Sequence, residues 1–172
     1  MVEIPKELGF HVETPEVLDR TIENSLQLME KHTRRMKEDY ETYCRIGDER
    51  LRDTLTESMN SRLNKIAQSF KDIVSFIQIQ NGDYGYDESL SSKVLYAQSN
   101  FDSDDDVDGI LNLIKKRNDI THDYFNENQL NYELLKAMET YGEGLSKLVI
   151  ILKEKCQLLD KTLKQKLPKK KK

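Results

Sequence analysis

The chain has 172 residues, 37% of them hydrophobic and 34% charged, and its formal net charge is −4. This length suits one domain with a sizeable core, while the negative charge argues against a whole-chain polyanion binder and leaves room for one local basic site. Two distant cysteines disfavour a disulfide framework. The start of the chain has no signal-like pattern and no apolar run has membrane length, so we expect a cytoplasmic protein that contacts no membrane.

The first half of the chain predicts two long amphipathic helices. Thr14 and Pro15 form a typical helix start, and Gly47 suits a helix end. Asp48 can cap a second helix that reaches about Gln80. Apolar seams at spacings of three and four predict the buried faces. The predicted seams are Ile22, Leu26, Met29, Thr33, Met36, Tyr40 and Tyr43, then Leu51, Leu55, Met59, Leu63, Ile66, Phe70, Ile73 or Val74, and Ile77.

The second half predicts a loop at 81–87, a short third helix and two further helices. The third helix carries Leu90, Val94, Leu95 and Ala97. The fourth begins in or after the acidic linker 101–109, and one long last helix ends at Pro168, weakened locally by Gly142 and Gly144. Together they predict an all-α, antiparallel up-and-down bundle of four to five helices. Residues 1–13 form an N-terminal arm, 14–167 the bundle and 168–172 a basic tail.

Two charged segments and two histidines are interpreted as ordinary structural or surface features rather than as functional sites. The run from Asp104 to Gly109 matches the front half of an EF-hand loop, but Lys115 stands where calcium needs a carboxylate, so an acidic helix N-terminus is favoured. The lysine tail is interpreted as a solvated end rather than a nuclear import signal or an RNA-contacting arm. His11 and His32 are interpreted as surface residues. No metal site and no cofactor are expected.

The densest polar cluster lies at 115–125, where the apolar seam of the fourth helix should continue. It contains Arg117, Asn118, Asp119, His122 and Tyr124. A histidine that titrates near neutrality can move a proton of a ribose 2′-hydroxyl, and an arginine can neutralise a phosphate in the transition state. Asn118 can orient either group, and Asp119 favours the imidazolium form. This combination suits metal-independent cleavage of a phosphodiester.

The spacing of the two key residues constrains the site. Arg117 and His122 are five residues apart, so their side chains diverge on one straight helix of 3.6 residues per turn. Two arrangements bring them together: the helix breaks near the motif, or the motifs of two subunits meet across a two-fold axis.

The pattern Arg117-Asn118-x-x-x-His122 resembles the signature of the HEPN superfamily. With Tyr124 two residues after the histidine, the pattern Arg-x4-His-x-Tyr resembles that of the HepT branch. HepT proteins are toxins paired with minimal nucleotidyltransferase antitoxins, and the family fold is an all-α bundle of four or five helices. The resemblance implies a homodimeric toxin or defence endoribonuclease that leaves a 2′,3′-cyclic phosphate. Arg117 and His122 would be catalytic, Asn118 supporting, and Tyr124 the position adenylylated by a nucleotidyltransferase. The alternative is a non-catalytic HEPN-like interaction module, a nucleotidyltransferase partner or adaptor.

Overall fold

A computed structural model describes residues 15–82, 89–121 and 127–166, with side chains described for 22–82, 89–117 and 128–156. These residues form six α-helices and no strand, which confirms the predicted all-α bundle. The helices are α1 (Pro15–Arg45), α2 (Glu49–Asn81), α3 (Leu90–Asn100), α4 (Asp105–Thr121), α5 (Glu127–Tyr141) and α6 (Glu143–Lys166).

Helices α1 and α2 form an antiparallel hairpin with the boundaries that the sequence predicts. The Asp48 side chain accepts hydrogen bonds from the backbone N–H groups of Arg50 (2.9 Å) and Leu51 (3.3 Å), as an N-cap should. The carboxylate of Asp39 accepts from Ser58 at 2.8 Å and from the Nε of Arg62 at 2.9 Å, which ties the middle of the two helices together. Helix α2 continues without a break to Gly82, whose φ of 70° ends it.

The stretch of α2 from residue 73 to residue 79 is buried on every side, because all seven of its residues are buried. Helix α2 packs against α1, α3, α5 and α6. Burial on all sides encloses polar groups as well: the Nζ of Lys93, which is 1% exposed, donates to the Oε1 of Gln78 at 2.5 Å. The prediction that only one side of this helix is buried therefore holds only for the residues before 73.

Helix α4 crosses the junction of α5 and α6 at very short range. It runs antiparallel to α5, since Gly109 lies against the ring of Tyr141 while Lys116 pairs with Glu133 at 3.2 Å. Gly144 lies against the backbone of Asp106, where an added Cβ would come within 2.2 Å of the carbonyl oxygen. Glycine is needed at this crossing because any side chain would separate the two backbones.

Two details of the predicted helices were wrong. The last long helix is two helices, α5 and α6, which are separated at Gly142. Leu51, placed in the seam of the second helix, is 51% exposed, and Leu95 of the third helix is 52% exposed, because no helix of the described residues covers their part of the helix surface. In the part of the chain that is described, no helix combines the length and apolar character needed to cross a membrane.

Candidate functional site

The polar motif lies at the C-terminal end of α4. Arg117 lies near the end of the described part of α4, which runs to Thr121. Asn118 and Asp119 are within the helix, but only their backbone is described. His122 and Tyr124 lie outside the described residues. The structure therefore gives the position of Arg117 and leaves the pairing of Arg117 with His122 as a prediction.

Arg117 is half-buried, as its place in the seam of α4 predicts. It follows the buried residues Ile110 and Ile114 on the same face. Burial lowers the pKa of its guanidinium from the ordinary value, but an arginine keeps its charge in proteins. Arg117 therefore brings a partly desolvated cation to the end of α4, and such a charge interacts more strongly with a phosphate than a fully hydrated one does.

A groove of about 670 Å³ runs between α4 and α5 toward this end of α4. Its lining includes Lys115, Lys116 and Lys136 at one end and Asp105 and Asp108 at the other. Lys116 pairs with Glu133 across the groove at 3.2 Å. Arg117 follows Lys115 and Lys116 in sequence but is not among the residues that line the groove, because successive residues of a helix point in different directions.

The acidic linker forms the N-terminus of α4, which confirms the favoured interpretation and contradicts the calcium loop. The side chain of Asp104 accepts from the backbone N–H of Val107 at 3.0 Å, and residues from Asp105 onward are helical. The Nζ of Lys147 donates to Asp104 at 2.7 Å and to Asp106 at 2.8 Å. These bonds hold the pKa of Asp104 below its ordinary value, mainly through Lys147. The two carboxylates bind a lysine of α6, which fastens α4 to it.

His32 was predicted at the surface, and this prediction was wrong: it is 6% exposed, under the α1–α2 contact. Its Nδ1 is buried without a hydrogen-bond partner in the described structure. Burial is the largest cause that lowers the pKa of His32 below 6.5, followed by the positive charges of Lys65, Arg62, Lys31 and Arg35. The sequence signal was present, because residue 32 lies one turn from the seam residues Met29 and Met36, both of which are fully buried.

Metal-ligating and nucleophilic groups form no cluster in the described parts of the chain, where no three His, Cys, Asp or Glu side chains are grouped to hold a metal ion. The two cysteines are far apart: Cys44 is exposed, and Cys156 is buried. Burial raises the pKa of the Cys156 thiol to about 12, so it stays protonated at neutral pH. The polar chemistry of the described residues is therefore carried by arginine, lysine and carboxylate groups.

Comparisons of the chain with family models, with curated proteins and with solved structures found no match.

Proposed function

We propose that the protein is a metal-independent endoribonuclease of the HEPN type, acting as a toxin or defence component. The observation that carries the proposal is the half-buried Arg117 in the seam of α4, within the all-α bundle that the resemblance implies. Side chains five residues apart diverge on a continuous helix. The proposal therefore requires either a break in the helix between Arg117 and His122 or a second subunit that brings the two side chains together.

In the proposed reaction His122 takes the proton of a ribose 2′-hydroxyl, and the resulting oxygen attacks the adjacent phosphorus. The bond to the 5′-oxygen of the next nucleotide breaks, which leaves a 2′,3′-cyclic phosphate and a 5′-hydroxyl. Arg117 neutralises the charge that builds on the phosphate oxygens, and its partial desolvation strengthens that interaction. Asn118 orients the phosphate or the imidazole, and Asp119 favours the charged imidazolium that returns the proton.

Cleavage of RNA by the full chain tests the reaction. Wild-type protein, Arg117→Ala and His122→Ala are incubated with a labelled single-stranded RNA in the presence of a chelator. Loss of general acid–base catalysis typically reduces the rate by about 10²–10⁴-fold, so we expect cleavage by the wild type alone. A terminal 2′,3′-cyclic phosphate identified by mass spectrometry would confirm the chemistry.

Arg50→Ala is the matched control, because Arg50 is an exposed arginine near the start of α2 and its side chain is not part of the motif. Circular dichroism verifies that all variants remain helical. If the wild type cleaves no RNA at high concentration, or His122→Ala cleaves as fast as the wild type, the nuclease proposal is wrong. A folded but inactive wild type leaves the non-catalytic interaction module as the better account.

We further propose that the active form is a homodimer in which two motifs face one cleft, and that Tyr124 is the target of a partner nucleotidyltransferase. Co-expression with a small nucleotidyltransferase encoded beside this chain should add the mass of one AMP to the peptide that contains Tyr124. The modification should abolish cleavage, because it places a bulky anion beside the catalytic pair. Tyr124→Phe should remain active and unmodified; AMP found on another residue would contradict the assignment.

A further inference from the structure

Two segments of the sequence carry cations without any acid between them. Residues 31–37 contain Lys31, Arg34, Arg35 and Lys37, and residues 58–71 contain Arg62, Lys65 and Lys71. Neither segment includes an aspartate or a glutamate, although the whole chain has a net charge of −4. Seven of the twelve lysines and arginines in the first 86 residues lie in these two stretches.

The hairpin of α1 and α2 places these two stretches side by side. The bonds from Ser58 and Arg62 to Asp39 fix the antiparallel register of the two helices. Toward the start of α1 this register sets residues 31–35 beside the turns of α2 around residue 65. The charges of Lys65 and Arg62 on α2 act on His32 of α1, which shows how near the two segments lie.

Most of the cations on this surface are available to a ligand. Lys31, Arg35 and Lys65 are exposed, and the ion pairs formed within the described residues involve none of the three. Arg62 is mostly buried and is held by Asp39 at 2.9 Å. We call the surface formed by Lys31, Arg35, Arg62 and Lys65 the α1–α2 basic face.

The interior beneath this face adds a second observation. His32 lies under the four cations with its Nδ1 buried and unpaired in the described structure. The four charged groups that act most on it, Lys31, Arg35, Arg62 and Lys65, are all positive. A buried polar atom without a partner and the mutual repulsion of neighbouring cations both cost free energy. Asp39 offsets part of that repulsion through its bond to Arg62, and an anion bound above the cations would offset more of it.

We propose that the α1–α2 basic face binds the phosphodiester backbone of a single RNA strand at a site separate from the 117–124 motif. The choice of RNA rests on the proposed function. Lys31 and Arg35 lie about 6 Å apart along α1, and Lys65 lies on the neighbouring helix, so the cations are spread over more than one phosphate of a strand. The exposed neighbours on α2, Ser61, Asn64 and Gln68, are neutral, so none of the three repels the phosphates.

Binding of a non-cleavable RNA tests this face independently of catalysis. The full chain is titrated with a fluorescent 2′-O-methyl oligonucleotide at several salt concentrations, because methylation removes the attacking hydroxyl. We expect Lys31→Gln/Lys65→Gln to bind about tenfold more weakly at low salt. The slope of log K against log salt should fall by about 0.7 for each lost phosphate contact on a single strand, which is about 1.4 for this pair.

The matched control is Arg45→Gln/Arg50→Gln, which removes the same charge from two exposed residues at the other end of the hairpin. All four side chains are exposed, and circular dichroism with thermal unfolding confirms that both double variants fold. The control should bind like the wild type. Equal weakening in both pairs, no weakening in either, or displacement of the oligonucleotide by an equal concentration of inorganic phosphate would each overturn the proposal.

The same measurements separate this inference from the proposed nuclease. If wild-type protein cleaves RNA but the Lys31/Lys65 pair binds the methylated strand normally, the basic face is not its binding surface while the nuclease stands. If the strand binds through the face and unmodified RNA is never cleaved, the face stands as a binding surface and the nuclease proposal fails.

Discussion

The imidazole of His32 connects the interior of the α1–α2 hairpin with its charged surface. It is 6% exposed and is surrounded by positive charge from both helices, namely Lys31 and Arg35 on α1 and Arg62 and Lys65 on α2. The negative group of this region, Asp39, is already bound to Arg62 and Ser58. His32 is therefore held in its neutral form, and protonation in the folded state is opposed by burial as well as by like charges.

The first prediction concerns the pH dependence of stability. The pKa of His32 is lower in the folded state than its ordinary value of 6.5, so below pH 6.5 the unfolded chain binds a proton that the folded chain does not. The free energy of unfolding should therefore be highest above this pH and fall as the pH drops through the window beneath it. Urea unfolding between pH 5 and about pH 8 measures the effect.

The control for this prediction is His32→Gln, which removes the titrating group. Its stability should vary less between these pH values than that of the wild type. An NMR titration of the His32 imidazole gives the folded-state pKa directly, and a value at or above 6.5 would contradict the structural argument.

At the scale of elements, the crossing of α4 over the α5–α6 junction depends on glycine. An added Cβ at Gly144 would meet the carbonyl oxygen of Asp106 at 2.2 Å and a side-chain carbon of Ile110 at 2.9 Å. Backbone atoms cannot move aside as a flexible side chain can, so the helices would have to separate. The two ion pairs that Lys147 forms with Asp104 and Asp106 lie at the same crossing, and separation of the helices would lengthen them.

The second prediction compares two glycine-to-alanine changes. Gly144→Ala should lower the free energy of unfolding by about 3 kcal/mol, because overpacking outweighs the better helix propensity of alanine. Gly47→Ala is the control, since an added Cβ there meets nothing within 4 Å; it should leave stability unchanged or raise it by about 0.5 kcal/mol. Chemical denaturation measures both, and a Gly144→Ala protein as stable as Gly47→Ala would refute the close crossing.

At the scale of the whole molecule, α2 links the hairpin to the other helices. Its residues from 73 to 79 are buried on all sides, and Phe70, one turn before them, is fully buried. The first turn of the same helix is exposed, with Leu51 at 51%. One helix is therefore a surface element at one end and a central element at the other.

The third prediction follows from the increase in burial along α2, from its exposed first turn to its buried C-terminal part. Phe70→Ala should cost about 3–5 kcal/mol of unfolding free energy, because it removes a large buried side chain and leaves a cavity. Leu51→Ala should change stability by less than about 0.5 kcal/mol, although the apolar seam assigns both residues to the same face. Thermal and urea unfolding of both variants test the gradient, and similar losses would show that the first turn of α2 is covered.

The sequence by itself determined where α2 begins and ends, where α4 begins, and which polar cluster is worth testing. Asp48 as N-cap, the end of α2 at Gly82 and the acidic start of α4 depend on residues within a few positions of each terminus. Their energies are local, so local patterns predict them. The prominence of Arg117 in the seam of α4 was also visible from periodicity alone.

Only the tertiary structure decided which faces are covered and which distant segments meet. Burial of His32, exposure of Leu51 and Leu95, and the break at Gly142 depend on where neighbouring helices pack. The α1–α2 basic face likewise requires the register of two helices, which is fixed by the contacts of Asp39. Periodicity predicts that a helix has an apolar side. Which part of that side is buried depends on how the rest of the chain packs against it.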